Sequence, residues 1–268
     1  MSTATITVNQ TSRLGGLRGA MSAEWTKLWS VRSTWLNVVG AVLLTGLLGL
    51  QLGFSAAYER DNPAPGSVPE LSEVGGMAIA TLMIVQVVIA AFAMLPVTSE
   101  YATGSIRSTL QWTPVRRDVV LGKALVLAPV LFVYGALLGL VAAVGAGLAA
   151  GRWADWTASV LVQDLLSIGV YAVLAGLFTT GIAFIIRNTA GTLTAAFLLL
   201  MVVPMMLGQS SIRALQWLGV LLPGGAGQGF LSDSEGALLS PTLSVVVLAA
   251  WAVGGLAAGL RVLQRRDA

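Results

Sequence analysis

Few side chains in this sequence could carry out chemistry. There is no His and no Cys, which removes imidazole bases, thiol nucleophiles, disulfides and two common metal ligands together. Gly122-Lys123 is the one Gly-Lys pair, yet Arg117 stands where a phosphate-cradling loop needs Gly, and Ala124 replaces the magnesium-binding hydroxyl. The chain therefore has no ATP-hydrolysing motif of its own. Inside the long apolar stretches the polar candidates are Gln51, Gln86, Gln163 and Asp164. Gln86 and Asp164 are the pair a translocation path would use. A charge at mid-bilayer costs about 2.5–3.5 kcal/mol on insertion scales, and a position close to the outer loop, as for Asp164, lowers that cost.

The densest polar stretch runs from Thr98 to Leu121. Glu100, Thr103, Arg107 and Gln111 recur at helical spacing as one polar stripe, with Ala102, Ile106 and Leu110 as an apolar one. The pattern predicts a short amphipathic helix that stops at Thr113-Pro114, because the residue before Pro is pushed out of helical geometry. Arg116-Arg117 then forms a basic patch before the next apolar run. Periodicity leaves two readings open, a solvated basic loop and a docking hairpin.

These residues must be positioned by membrane-spanning helices. The chain is 56% hydrophobic and 10% charged, against roughly 25% charged in soluble domains. A span needs about 20 apolar residues, and six such runs are predicted: Trp35–Tyr58, Gly75–Thr98, Leu121–Ala150, Ala158–Ile186, Thr189–Gly208 and Pro241–Leu263. Only Arg187 and Asn188 divide the fourth from the fifth. A single span of about 50 residues would overrun any bilayer, so a tight turn is required there. The fold class is an all-α membrane protein with a disordered tail over residues 1–14 and a single transmembrane domain over 15–268. The polar N-terminus lacks the apolar core of a signal peptide. Asn9-Gln10-Thr11 matches a glycosylation acceptor by chance on an expected cytoplasmic tail. Pro96, Pro129 and Pro204 are expected to kink or end their spans.

Orientation follows from Lys and Arg. Of the fifteen basic residues, twelve fall on one side: Arg13, Arg18, Lys27, Arg32, Arg107, Arg116, Arg117, Lys123, Arg187, Arg261, Arg265 and Arg266. That side, with both termini, is expected to be cytoplasmic. The pI near 9.7 is then the positive-inside bias and not a nucleic-acid signal. Before the first span, Met21, Trp25, Leu28 and Trp29 share one face while Glu24 and Lys27 lie on others, as in a helix lying in the membrane interface. Its alternative role is a plain anchor. Between the fifth and sixth spans, residues 209–240 contain the apolar run Ala214–Leu222, read as a short re-entrant helix closed by the Pro223-Gly224-Gly225 break.

The run Glu100-Tyr101-Ala102-Thr103-Gly104-Ser105-Ile106-Arg107, followed by Leu110, Pro114, Arg116 and Gly122-Lys123, resembles the loop after the second span of bacterial type-2 ATP-binding-cassette permeases. Glu24-Trp25-Thr26-Lys27-Leu28 resembles that family's N-terminal connecting helix. Arg187-Asn188-Thr189-Ala190-Gly191 and Leu222-Pro223-Gly224-Gly225-Ala226-Gly227 are similar to what members carry after spans four and five. The resemblance implies an exporter permease in the plasma membrane, non-catalytic and free of cofactors itself. It implies that Glu100, Thr103, Gly104, Arg107, Pro114, Arg116 and Arg117 meet the ATPase, and that Glu24, Trp25, Lys27 and Trp29 form the interfacial helix. Two ATPase subunits carrying ATP and Mg, and a second permease copy or close paralogue, would complete the transporter. The sparse polar content suggests an amphiphilic or hydrophobic solute. The competing readings are an ion-coupled secondary transporter, which Asp164 alone supports, and an intramembrane enzyme, which lacks an acid–base pair.

Overall fold

In the computed structural model, which describes residues 13–64, 68–113, 115–232 and 237–265, six helices are long and apolar enough to cross a membrane. Helix α1 (Arg13–Ser30) precedes the first span, α2 (Arg32–Asp61). The second span is α3 (Val74–Thr103), followed by the short α4 (Ile106–Trp112) and the third span α5 (Arg116–Ala150). The fourth is α6 (Ala158–Ile186). The fifth combines α7 (Thr189–Phe197), a π-helical turn (Leu198–Val202) and α8 (Val203–Gly208). Helices α9 (Arg213–Leu221) and α10 (Pro223–Leu231) lead to the sixth, α11 (Pro241–Arg265). The tail expected over residues 1–14 lies outside the described residues as far as residue 12, and Arg13 and Leu14 already belong to α1.

Helices α3, α5 and α6 pack against one another at the centre, with α2 laid on α5 and α11 on α6. The core they share includes Leu82, Ile89, Phe92, Leu131, Leu138, Ile168 and Tyr171. The outer helices keep broad apolar faces: Leu36, Val39, Leu43 and Leu47 on α2 are all exposed at helical spacing, as a lipid-facing stripe must be. Where α2 meets α5, backbones approach closely. A Cβ on Gly53 would lie 2.1 Å from the carbonyl oxygen of Ala146, a distance no side chain tolerates. Gly53→Val should therefore destabilise the bundle by about 1–3 kcal/mol, the usual cost of overpacking, whereas Gly254→Ala, which meets nothing within 4 Å, should be silent. Thermal unfolding in detergent checks the contrast, and equal midpoints for the two variants would refute it.

Several local expectations are met or corrected. The turn between the fourth and fifth spans is real: Arg187 takes a left-handed φ of 59°, and Asn188 caps α7 by accepting the Gly191 N–H at 2.9 Å. Neither Pro96 nor Pro129 ends its helix, since each lies inside a continuous element. Neighbouring spans can compensate for the missing N–H of a membrane proline. The break at Pro223-Gly224-Gly225 does end α9, whose cap Leu222 is extended as the residue before Pro tends to be, but it does more than close a helix. It opens α10, because Pro at the first helical position has a preset φ and no N–H to lose. The amphipathic helix expected across Glu100–Gln111 is two pieces: α3 continues to Thr103, Gly104 caps it at φ 72°, and α4 starts afresh at Ile106. A left-handed residue breaks the phase of the stripe, so Glu100 and Arg107 do not share a face by periodicity. Arg116 and Arg117 are the first turn of α5 instead of a loop.

At the end opposite α4, the connections are tied together in a way the sequence did not suggest. Two-residue strands β1 (Ser72–Glu73) and β2 (Ala154–Asp155) pair in parallel. Asp61 accepts hydrogen bonds from Arg152 and, at 2.9 Å, from the Trp153 indole N–H.

Candidate functional site at the basic end of the bundle

Charged side chains from four elements converge beside α4. Glu24 and Lys27 lie one turn apart on α1, Glu100 sits in the last turn of α3 and Lys123 stands two turns into α5. The Lys123 ammonium donates to Glu24 Oε2 at 2.6 Å, to Glu100 Oε1 at 3.0 Å and to the Pro96 carbonyl at 3.0 Å. That of Lys27 donates to Glu24 Oε1 at 3.1 Å, Glu100 Oε1 at 2.8 Å and Thr109 Oγ1 at 3.1 Å. Two cations and two anions cancel, and only Lys27 is substantially exposed, its side chain at 43% against 1% for Lys123.

Such a cluster is costly to desolvate and strongly destabilising to break. It persists because each ammonium places all three of its N–H bonds. Burial alone would lower the Lys27 pKa, but its hydrogen bond to Glu100 and the charges of Glu24 and Glu100 outweigh that, holding it above the usual 10.5. A raised Lys pKa stabilises the fold fully below the unfolded value and loses that contribution as pH rises through the folded one. Lys27 therefore keeps its charge throughout the physiological range.

Helix α4 is joined to this cluster through Thr109, and its Ile106 is buried beneath it. Thr103, Gly104, Arg107 and Gln111 are exposed. Trp112 closes α4 with 88% of its surface accessible, and Val115 beyond it is also exposed. Neither was singled out from the sequence, although an aromatic just before a polar turn is a readable sign of a contact surface. Arg117 is exposed at the start of α5, while Arg116 donates to the carbonyls of Leu263 and, at 3.0 Å, Gln264, fastening the end of α11. Pro114 lies outside the described residues.

The remaining expected residues fall elsewhere. Trp25 is half exposed and stacks edge-on with Trp29, which in turn packs on Trp35, an aromatic group suited to headgroup depth. Gln86 is buried in the bundle, where it accepts from the Tyr171 hydroxyl and donates to the Met83 carbonyl at 2.8 Å. Asp164 rests against Gly75, whose missing side chain makes the room. Among the described residues no group of three or more carboxylates could hold a metal ion.

Six apolar helices make this a multi-pass membrane protein. Residues 20–203 match the model for the ABC-2 family transporter proteins, and the chain belongs to that family. It is thus a transmembrane ABC permease, in a family whose members are generally the non-catalytic membrane subunits associated with ABC ATPases. The match takes in α4 and the entire ion cluster and stops at the start of α8. A comparison with curated proteins gives no match.

Proposed function

We propose that this chain is the membrane half of an ATP-driven exporter, with the basic end in the cytoplasm and its α4 hairpin docked on a separate ATPase subunit. The observation that carries the reading is the pairing of an exposed Trp112 on α4 with a buried ion cluster directly behind it. A push on α4 would reach α1, α3 and α5 through side chains that cannot separate cheaply. Residues 15–268 act as one permease domain. Two ATPases bind ATP and Mg, two permeases (copies of this chain, or this chain and a close paralogue) face each other, and closure of the ATPases alternates the side to which the bundle opens. Helix α1 lies in the inner interface of the plasma membrane, and α9 and α10 form a re-entrant cap at the outer end. The cargo is amphiphilic or hydrophobic. Thr103, Gly104, Arg107, Trp112 and Arg117 form the docking surface, and Glu100 holds α4 from behind.

One experiment addresses both partner and orientation. An affinity-tagged chain should retain an ABC ATPase through purification. A single Cys at Ser108 should be protected from an impermeant thiol reagent in intact cells, while one at Ser232 should react, with no native Cys to confuse the result. Labelling of the Ser108 site in intact cells, or purification without an ATPase under conditions that preserve the fold, would defeat the reading.

A further inference from the structure

One residue on the outward side of α2 is out of keeping with a lipid environment. Gln51 is exposed, and among the described residues its amide enters no hydrogen bond. Depth makes this costly. The 30 residues of α2 run about 45 Å at 1.5 Å per residue, against a hydrocarbon core of about 30 Å, so Gln51, about 15 Å inside the Asp61 end, lies within the hydrocarbon. A primary amide left unpaired there forfeits the hydrogen bonds that water gave it. The other glutamines of the spans avoid that cost. Gln86 is buried and bonded to Tyr171 and Met83, and Gln163 stands in the first two turns of α6, near the end of its span.

Gln51 also holds a place in a pattern. Gly40, Leu44, Leu47, Gln51, Phe54 and Tyr58 are all exposed and recur at alternating steps of four and three, the seven-residue repeat with which two helices supercoil left-handedly. This stripe shares Leu47 with the lipid-facing row of Leu36, Val39 and Leu43 and otherwise runs beside it. A Cβ on Gly40 would meet nothing within 4 Å, so that glycine, unlike Gly53, makes no room for its own chain and leaves a place where another backbone can come close.

Symmetry says what can meet Gln51. Two copies inserted in one membrane share one orientation, so their α2 helices run parallel, and in a parallel pair each seam position faces its own counterpart at the same depth. The residue opposite Gln51 is then another Gln51, and a primary amide is complementary to itself, each carbonyl accepting from the other's N–H. We propose that this stripe is where a second copy of the chain docks, α2 on α2, with the paired Gln51 amides fixing the register. The inference deepens the two-permease arrangement and rests on it for the contact's purpose in transport, but not for the contact itself.

Disulfide trapping tests it in membranes from cells expressing the full-length chain, which has no native Cys. A disulfide forms only between residues whose Cα atoms come within about 7 Å. Mild oxidation should therefore link Leu44→Cys and Gln51→Cys into covalent dimers and leave Leu43→Cys, exposed on the neighbouring row, unlinked. Trapping of Leu43→Cys as fully as Leu44→Cys, or a product with the mass of any other chain, overturns the proposal. Gln51→Leu reads the amide itself. It puts an apolar side chain where the chain already faces outward, so the protomer keeps its fold. The dimer dissociation constant, measured by energy transfer between labelled chains in liposomes, should rise about ten-fold on loss of an interhelical hydrogen bond in a membrane. An unchanged constant overturns the role of the amide pair. A dimer that forms while the stripe stays unlinked overturns this face and leaves the two-permease arrangement standing, whereas a chain that is monomeric at every concentration overturns both. Neither measurement involves an ATPase, so failure here is distinct from failure of the docking reading.

Discussion

Lys123→Met is expected to cost the fold about 3–5 kcal/mol, the range for removing one member of a buried ion network. The side chain it replaces is buried and binds two carboxylates. Met fills a similar volume, so the loss is electrostatic: Glu24 and Glu100 are left facing each other across the site with only Lys27 between them. At roughly 2–4 °C per kcal/mol for a chain of this size, the unfolding midpoint should fall by about 10 °C and yield in the membrane should drop. The double variant Lys123→Met, Glu100→Gln removes one charge of each sign and leaves the Glu24–Lys27 pair intact, and should recover most of the difference. Fluorescence-detected thermal unfolding in detergent measures both. If the single variant keeps the wild-type midpoint, or the double variant is worse than the single, the cluster is not the lock between α1, α3 and α5.

That cluster also marks the boundary of what the sequence could tell. The six spans were legible because apolar length is a property of each segment alone, and each predicted core falls inside an observed helix. Lys123 was visible only as the second half of a failed phosphate-loop motif, because nothing local says that a Lys two turns into one span will meet a Glu on α1 and another on α3. Its partners are 99 and 23 residues away along the chain. The stripe through Glu100 and Arg107 was misread for a different reason. Helical periodicity assumes an unbroken helix, and Gly104, at φ 72°, resets the phase between them. Gly in a polar loop is a helix-end signal, and applying it would have separated a carboxylate that faces inward from an arginine that faces out. The strand pair had no signal, whereas the π-helical turn had one in Pro204, which opens α8 and has no N–H to give the carbonyl four residues back. Two-residue strands are below any periodicity, and the Leu200 carbonyl in the π-helical turn comes close to Gly224, a long-range contact that no local pattern announces.

The separation of Glu100 from the exposed face changes what charge reversals in this hairpin should do. Glu100→Lys would bury a third cation against Lys27 and Lys123, so its expected phenotype is loss of the protein. Arg107→Glu and Trp112→Ala change exposed side chains of the α4 hairpin, and their expected phenotype is loss of coupling in a protein that still inserts and accumulates. An aromatic anchor at a docked interface commonly carries 2 kcal/mol or more, so Trp112→Ala should weaken ATPase retention by about thirty-fold. Reversing Arg107 places like charge against whatever acidic surface the partner offers and should cost at least as much in transport-linked ATP hydrolysis. Glu70→Lys, exposed at the opposite end of the bundle, is the control and should leave retention and hydrolysis alone. Membrane content is measured first for every variant. The docking surface is wrongly placed if Trp112→Ala and Arg107→Glu, at normal membrane content, retain the ATPase as the unmodified chain does. It is equally wrong if Glu70→Lys loses the ATPase along with them, since a reversal at the far end could act only through the fold.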